Sequence, residues 1–382
     1  MKIEIGQKLS DYSKSALINL LEQRLMVWGI TIQDSELLLP GDVDSARYAG
    51  ISQLVSQYVD YASRLKLDRL YEQGSASVPS STHLQALQAS GAMLKLGDGL
   101  YTFQGSFLTL VNRIDGIVRA WAMDLGAQEQ DHPVLWPMDL LQKIHYLHEF
   151  PQLAYLVTGA NDDFESCSRL SFLAQQSVDG SIVVEPDVVK PFQFGLQNAV
   201  CDCCYYGLEA RNLAGAGIFT TSNKVIRNER KSTERWGRLR CFRVRDIMVV
   251  GHREDCEAVL ETVFDRLVDL LRTAGIHARI ETANDPFFGD ETALKSVFQN
   301  SRHLKYEVIT QLDEDGPDLA IGSINRHQDF FSKAFDIKIQ DKRAMSACVG
   351  IGLERFAMAL FAHYGDKIQH WPDEVRKAFW NE

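Results

Sequence analysis

The chain has 382 residues, 45% hydrophobic and 24% charged, an ordinary globular balance with room for one large domain and a smaller one. No apolar run approaches ~18 residues, which excludes a membrane-spanning helix. The start, Met1-Lys2-Ile3-Glu4-Ile5, has no apolar core behind a basic head, so a cytoplasmic protein without a secretory signal is expected. A net charge of −11 opposes a broad nucleic-acid surface, which needs a basic footprint.

Residues 8–27 predict a helix with Leu17, Ile18, Leu20, Leu21 and Leu25 on a broad apolar face. A second helix is expected from about 46 to 73, through Ile51, Leu54, Tyr58, Tyr61 and Leu65. Gly, Ser and Pro dominate 74–82, a connector. Residues 83–103 predict a short helix and a strand pair turning at Gly97-Asp98-Gly99. A domain boundary is placed near 103, between a mostly helical, winged-helix-like region (1–103) and a larger domain (104–382). Phe107, Leu110, Val111, Ile114, Ile117, Val118 and Trp121 then recur at three and four, an amphipathic helix ending near Gly126. A strand, Val134-Leu135-Trp136, is closed by Pro137. Val259, Val263, Leu267 and Leu270 mark a later helix entered through Glu254-Asp255. Val244 to Val250, Lys305 to Leu312 and Leu319 to Ile324 read as strands. The connections are too irregular for tandem βαβ units, so the expected class is α+β, an antiparallel sheet backed by helices.

The most informative stretch is Ala347-Cys348-Val349-Gly350-Ile351-Gly352-Leu353-Glu354-Arg355. An apolar strand runs into two glycines and then a helix. Glycine lets a ligand approach the backbone closely, a helix start favours phosphate, and Arg355 adds a planar cation. That pattern points to nucleotide chemistry. Val225-Ile226-Arg227-Asn228-Glu229, a charged loop, and Cys241-Phe242-Arg243-Val244-Arg245-Asp246 read as strand–loop–strand. Arg227 there suits a phosphate through paired hydrogen bonds, and Phe242 suits a purine; a solvated hairpin is the plainer alternative. Glu307 lies on a half-buried strand and needs a partner: Mg²⁺ shared with phosphates, or a neighbouring Lys or Arg. Ser323 to Asp329 packs polar groups behind a strand, with His327 read as a hydrogen-bonded structural residue. Seven cysteines, odd in number and irregularly spaced, read as reduced thiols. Cys201-Asp202-Cys203-Cys204 is not a CxxC knuckle, and buried free thiols are its ordinary reading.

In order, these segments resemble the class II aminoacyl-tRNA synthetase catalytic domain. The helix near 105–125, its strand and Pro137 look like motif 1, the dimer-interface element. Arg227-Asn228-Glu229 through Phe242 looks like motif 2, and Gly350-Ile351-Gly352-Leu353-Glu354-Arg355 like motif 3. Three further strings sharpen the likeness: Phe150-Pro151-Gln152-Leu153, Ala283-Asn284-Asp285-Pro286-Phe287-Phe288-Gly289 and Asn325-Arg326-His327-Gln328-Asp329-Phe330-Phe331. With them the chain resembles the amino acid–carrier protein ligases, similar to the atypical seryl-tRNA synthetases of methanogens, over roughly residues 104–370.

The resemblance implies ATP-dependent activation of a small amino acid (Ser, Gly or Ala) to an aminoacyl-adenylate. The acyl group then passes to the phosphopantetheine thiol of a carrier protein, without tRNA, on a homodimer. It implies that Arg227 holds the α-phosphate and Glu229 accepts from the adenine amino group. Phe242 and Arg355 would sandwich the base, Glu307 would ligate Mg²⁺, and Asn325 would contact the substrate. Cys201, Asp246 and Cys348 would hold a zinc ion whose open position takes the substrate's amino group. Asp246 departs from the family's Glu by one methylene, Asn228 stands where the family commonly has His, and Cys203 and Cys204 leave open which thiol faces the metal. Two other readings remain. One is a true seryl-type tRNA synthetase with 1–103 as the tRNA-binding part, disfavoured by few clustered Lys or Arg there. The other is a non-catalytic paralogue, disfavoured by the motif residues still in place.

Overall fold

The computed structural model describes residues 2–6, 8–25, 27, 29–33, 35–40, 45–177, 180–229, 235–288 and 291–380; Gly289, part of one string above, and residues 230–234 of the charged loop lie outside them. Helices α1, Asp11–Leu25, and α2, Ser45–Arg64, pack together. Their apolar faces close a small core with Ile3, Leu37 and Leu65. The second expected helix stops short. Arg69–Gln73 is strand β1 and pairs with the edge of the large sheet. Asp68 anchors it, its N–H donating to Thr282 Oγ1 at 3.1 Å, and this pairing overrides the helical pattern. Helix α3, Ser81–Ala89, and a hairpin of Met93–Gly97 with Leu100–Phe103 follow as expected, and Leu84, Leu87 and Met93 join the large core. The small core thus draws on residues up to Leu65 together with Ala293, while β1 and α3 are built into the larger body.

Helix α4, Gly105–Asp124, leads into the rest of the sheet. Its strands are β2, Gln128–Glu129, β3, Gly217–Ile226, β4, Cys241–Gly251, β5, Ala278–Thr282, β6, Lys305–Thr310, β7, Leu319–Gln328, and β8, Met345–Gly352. The order is β1-β5-β6-β7-β8-β4-β3-β2, antiparallel except where β2 joins β3. The α+β expectation holds. Side chains alternate between the faces, and Ile247, Val249, Val349 and Ile351 point into helices. These are α4, α5, Arg253–Ala274, and α6, Leu353–Tyr364. Helix α5 starts on a capping box, His252 N–H donating to Asp255 Oδ2 at 2.8 Å, and stops at Gly275 with φ +59°. The apolar stripe of α4, from Phe107 to Val118, is consumed in this core, each full side-chain burial stabilising by about 1.5–3 kcal/mol. On the other face, Met248, Val250 and Cys348 pack with Trp136, Tyr205 and Phe331 in a second cluster. No helix among the described residues is long and apolar enough to cross a membrane.

Candidate active site

Strand register assembles the site. Asp246 pairs with Gly350, Gly350 with Ser323, and Ser323 with Glu307. In the next row of the same face, Met248 pairs with Cys348, Cys348 with Asn325, and Asn325 with Lys305. Directly paired residues share a face, so residues up to about 100 positions apart in sequence form one surface. Gly350 has a local reason: a Cβ there would run into Asp246 Oδ1.

One end of this surface gathers cations on a ring. The guanidinium carbons of Arg355 and Arg227 lie 4.4 and 5.9 Å from the centre of the Phe242 ring. Arg355 Nε donates to the Gly237 carbonyl at 2.9 Å and Nη1 to Ala320 at 3.3 Å; Nη2 has no hydrogen bond and lies 3.9 Å from Glu229 Oε1. Burial, with Arg238 and Arg227 nearby, brings the Arg355 guanidinium down to about 10 against the pull of Glu229, so it stays charged near neutrality. Arg227 Nε donates to the Asn198 carbonyl at 2.9 Å. A base stacked on both sides needs about 7 Å, two contact distances of about 3.5 Å. Arg355 and Phe242 instead touch directly, so a base enters only if the guanidinium swings away. Glu354 is structural: buried, it accepts from Arg243 N–H at 2.6 Å and ties α6 to β4. Asn228 accepts from Arg240 at 3.2 Å, and its N–H donates to Leu153 at 3.0 Å.

Glu307 has the plainer of its two expected partners, Lys305 Nζ at 3.2 Å. That ammonium also reaches Asp285 Oδ1 at 2.5 Å. Although burial pulls it down, Asp285 and Glu307 hold the Lys305 ammonium above its ordinary range. Glu307 keeps 27% of its side chain exposed, so it is reachable from solvent.

The other end gathers acids. Among the described residues, Cys201, His327 and Cys348 form the group whose ligand atoms all lie within 4.8 Å of one another. Asn325 Nδ2 donates to Cys348 Sγ at 3.5 Å. Cys201 Sγ donates to Asp202 Oδ1 at 3.5 Å. Asp246 is buried beside the thiols, outside that group. Burial, and then the Cys348 charge, push its carboxyl well above the usual range. Burial pushes Asp202 up to about 7. The thiols titrate as a pair: a hydrogen bond between them, first, and His327 hold Cys348 well below the ordinary thiol value, while the same bond and burial raise Cys201. Cys203 and Cys204 are raised chiefly by burial and are core thiols. Two thiols, an imidazole and two buried carboxylates suit a soft divalent cation such as zinc, which neutralises their mutual repulsion.

The structure thus brings Cys201 and Cys348 together, sets Asn325 on Cys348, and gathers Arg227, Glu229 and Arg355 around Phe242. It leaves Asp246 adjacent to the thiols and puts His327 in the third place. Sequence reasoning missed His327, Asp202 and Lys305. Strand alternation was the available signal for Lys305, which precedes Glu307 by two; His327 follows Asn325 by two but sits at a register shift in β7. The strings Phe150–Leu153 and Ala283–Phe288 also meet: the Phe150 and Phe287 rings lie 5.3 Å apart, and Gln152 donates to the Pro286 carbonyl at 2.7 Å.

No family model matches the chain. It is 32% identical over 279 residues to amino acid–(acyl-carrier-protein) ligase 2 of Bradyrhizobium diazoefficiens, covering 73% of this chain and 82% of that protein. Ligase 1 of the same organism is 26% identical over 283 residues, 73% of this chain and 84% of that one. A type-2 serine–tRNA ligase of Methanococcus maripaludis is 22% identical over 293 residues, 74% of this chain and 56% of that protein. Among solved structures, Methanopyrus kandleri seryl-tRNA synthetase in complex with Aquifex aeolicus tRNASec superposes with a TM-score of 0.69 at 16% identity, covering 99% of this chain and 76% of that one. Pyrococcus horikoshii seryl-tRNA synthetase complexed with ATP gives 0.59 at 11%, covering 88% and 79%. These likenesses establish the seryl-tRNA synthetase fold, and with the level of identity to the ligases the chain belongs to the amino acid–(acyl-carrier-protein) ligase family.

Proposed function

We propose that this protein activates a small amino acid with ATP and transfers it to the phosphopantetheine thiol of a carrier protein. The observation that carries the reading is the sharing of one sheet face by the Arg227–Phe242–Arg355 cluster and the Cys201–Cys348 pair. In the first step a carboxylate oxygen of the amino acid bonds to the α-phosphorus, the bond to the β-phosphate oxygen breaks, and pyrophosphate leaves. Arg227 holds the α-phosphate and stabilises the charge growing there. Glu229 accepts from the adenine amino group, and Arg355, once off Phe242, closes over the base. Glu307 would hold Mg²⁺, which would supply positive charge against the phosphates as pyrophosphate leaves. In the second step the carrier thiol gives up its proton and its sulfur bonds to the carbonyl carbon as AMP leaves.

Zinc on Cys201 and Cys348 would supply an open position for the neutral α-amine, and so select amino acids over hydroxy acids. Asn325, donating to Cys348, lies where the substrate's polar groups would pass. Serine, glycine and alanine are the expected substrates. The protein works in the cytoplasm as a homodimer with α4 at the interface. Charging of tRNA is the reading we set aside, because acidic residues outnumber basic ones over 1–103. The test is ATP–pyrophosphate exchange with each amino acid, followed by mass gain on a holo carrier protein. Exchange with none, or charging of tRNA in place of the carrier, overturns the proposal.

A further inference from the structure

His327 stands near the end of β7, with its ring clamped. It lies edge-on to Tyr205 and Phe331, ring centres 5.5 and 4.9 Å away, and those two rings stack on each other at 4.0 Å. Tyr205 is fully buried. Its hydroxyl donates to the Ala347 carbonyl at 3.3 Å, which leaves its oxygen to accept from His327 Nδ1 at 3.3 Å. Ser346 Oγ lies 3.4 Å from the same nitrogen. These outer partners hold Nδ1, so Nε2 faces Cys348 Sγ, 3.6 Å away, where a cation would take the place of the proton shared between ring and sulfur. An imidazole anchored through one nitrogen by outer partners, with the other facing a thiolate, is the arrangement of a metal-binding histidine.

The spacing agrees. A tetrahedral zinc with Zn–S of about 2.3 Å and Zn–N of about 2.0–2.1 Å sets sulfur and nitrogen about 3.6 Å apart. The Asp246 carboxylate is divided between two tasks: it takes a hydrogen bond from Cys201 and packs on Gly350. Its Oδ1 fills the space above Gly350, and it falls outside the group that Cys201, His327 and Cys348 form. We infer that zinc in this chain is held by Cys201, His327 and Cys348, with Asp246 outside the ligands; the inference rests on the zinc reading above. Two thiolates, a neutral imidazole and Zn²⁺ sum to no net charge, where a third anionic ligand would leave one negative charge. The neutral set draws more electron density from an incoming amine, and leaves the Asp246 and Asp202 carboxylates to accept from its N–H groups.

The experiment is zinc analysis of the purified full chain together with X-ray absorption at the zinc edge, which needs no variant. Two sulfurs near 2.3 Å and the outer-shell scattering of one imidazole are expected. In competition with a chelator, His327→Gln should lower zinc affinity by about 100-fold or more, beyond the 10–100-fold typical of an outer-shell partner, and abolish the imidazole scattering. Asp246→Asn should retain zinc within a few-fold. Thermal melting checks that both variants fold. Two sulfurs with oxygen neighbours and no imidazole, or zinc lost in Asp246→Asn and kept in His327→Gln, overturns this inference and leaves the zinc reading standing. A zinc-reconstituted protein that holds no zinc overturns both.

Discussion

Arg355 rests 4.4 Å above Phe242, in the space a base would need, while Cys348 and His327 stand 3.6 Å apart, the separation a zinc tetrahedron would set. The first end concentrates positive charge around a ring and must rearrange to bind. The second concentrates acids beside the stacked Tyr205 and Phe331 rings, with its ligand atoms already close together. Each end carries like-charge repulsion that a ligand of opposite sign relieves, but the two differ in who does the moving. A mobile anion with a flat base would be met by a guanidinium that can swing; a spherical cation would be met by donors held by their neighbours. Arg227 links them, its charge reaching Asp202 and Asp246 as well as Arg355.

The sharpest test of this division is to remove one end at a time. Arg227→Ala should lower ATP–pyrophosphate exchange by about 10²–10³-fold, the loss typical of one preplaced transition-state donor, with zinc content unchanged. Cys348→Ala should do the reverse, stripping zinc while ATP affinity, read by calorimetry, changes little. If either variant abolishes both ligands without unfolding, the ends are one unit.

Smaller effects probe the joints. Gly350→Ala drives a methyl into Asp246 Oδ1 and should cost about 1–3 kcal/mol in denaturant unfolding, as overpacking does, with zinc retained if Asp246 can turn aside. A control comes from outside both ends. His363 is buried, donates from Nδ1 to Ala359 O at 2.8 Å and accepts at Nε2 from His277 N–H at 3.2 Å, and burial lowers it to about 4. A histidine depressed below its unfolded value, near 6.5, contributes stability that is present above that value and lost as pH falls toward 4. Stability should therefore drop by on the order of 2 kcal/mol between pH 8 and 5 from this group, and His363→Gln should flatten that part of the slope. An unchanged slope would count against a neutral buried ring. Smallest, Phe242→Leu removes the stacking face but keeps an apolar side chain. KM for ATP should rise about 10-fold, matching the ~1–2 kcal/mol of a stacked ring with its cation–π partner, with kcat affected less.

Much of the fold was readable because its signals are local. The period of Phe107 to Trp121, the hairpin at Asp98-Gly99 and the strand running through Gly350 and Gly352 into α6 each depend on residues within a turn or two of one another. The reading failed at Arg69–Gln73, where pairing with β5, about 200 residues away, converts an expected helix into an edge strand. In the site, the motif order named Arg227, Phe242 and Arg355, and Cys201 with Cys348. It said nothing of Lys305 on Glu307 or of the direct contact between Arg355 and Phe242, because both follow from the side chains opposite them.

By itself the sequence determined the α+β class and picked out Arg227, Phe242 and Arg355 and the two thiols that the fold gathers, since residue type and short-range spacing carry those patterns. Tertiary structure alone decided where the cores divide and which third side chain approaches Cys201 and Cys348. The reason is geometric: a methylene's length at Asp246, and the register that sets Asn325, and with it His327, beside Cys348, are properties of neighbouring strands, and no single strand contains them.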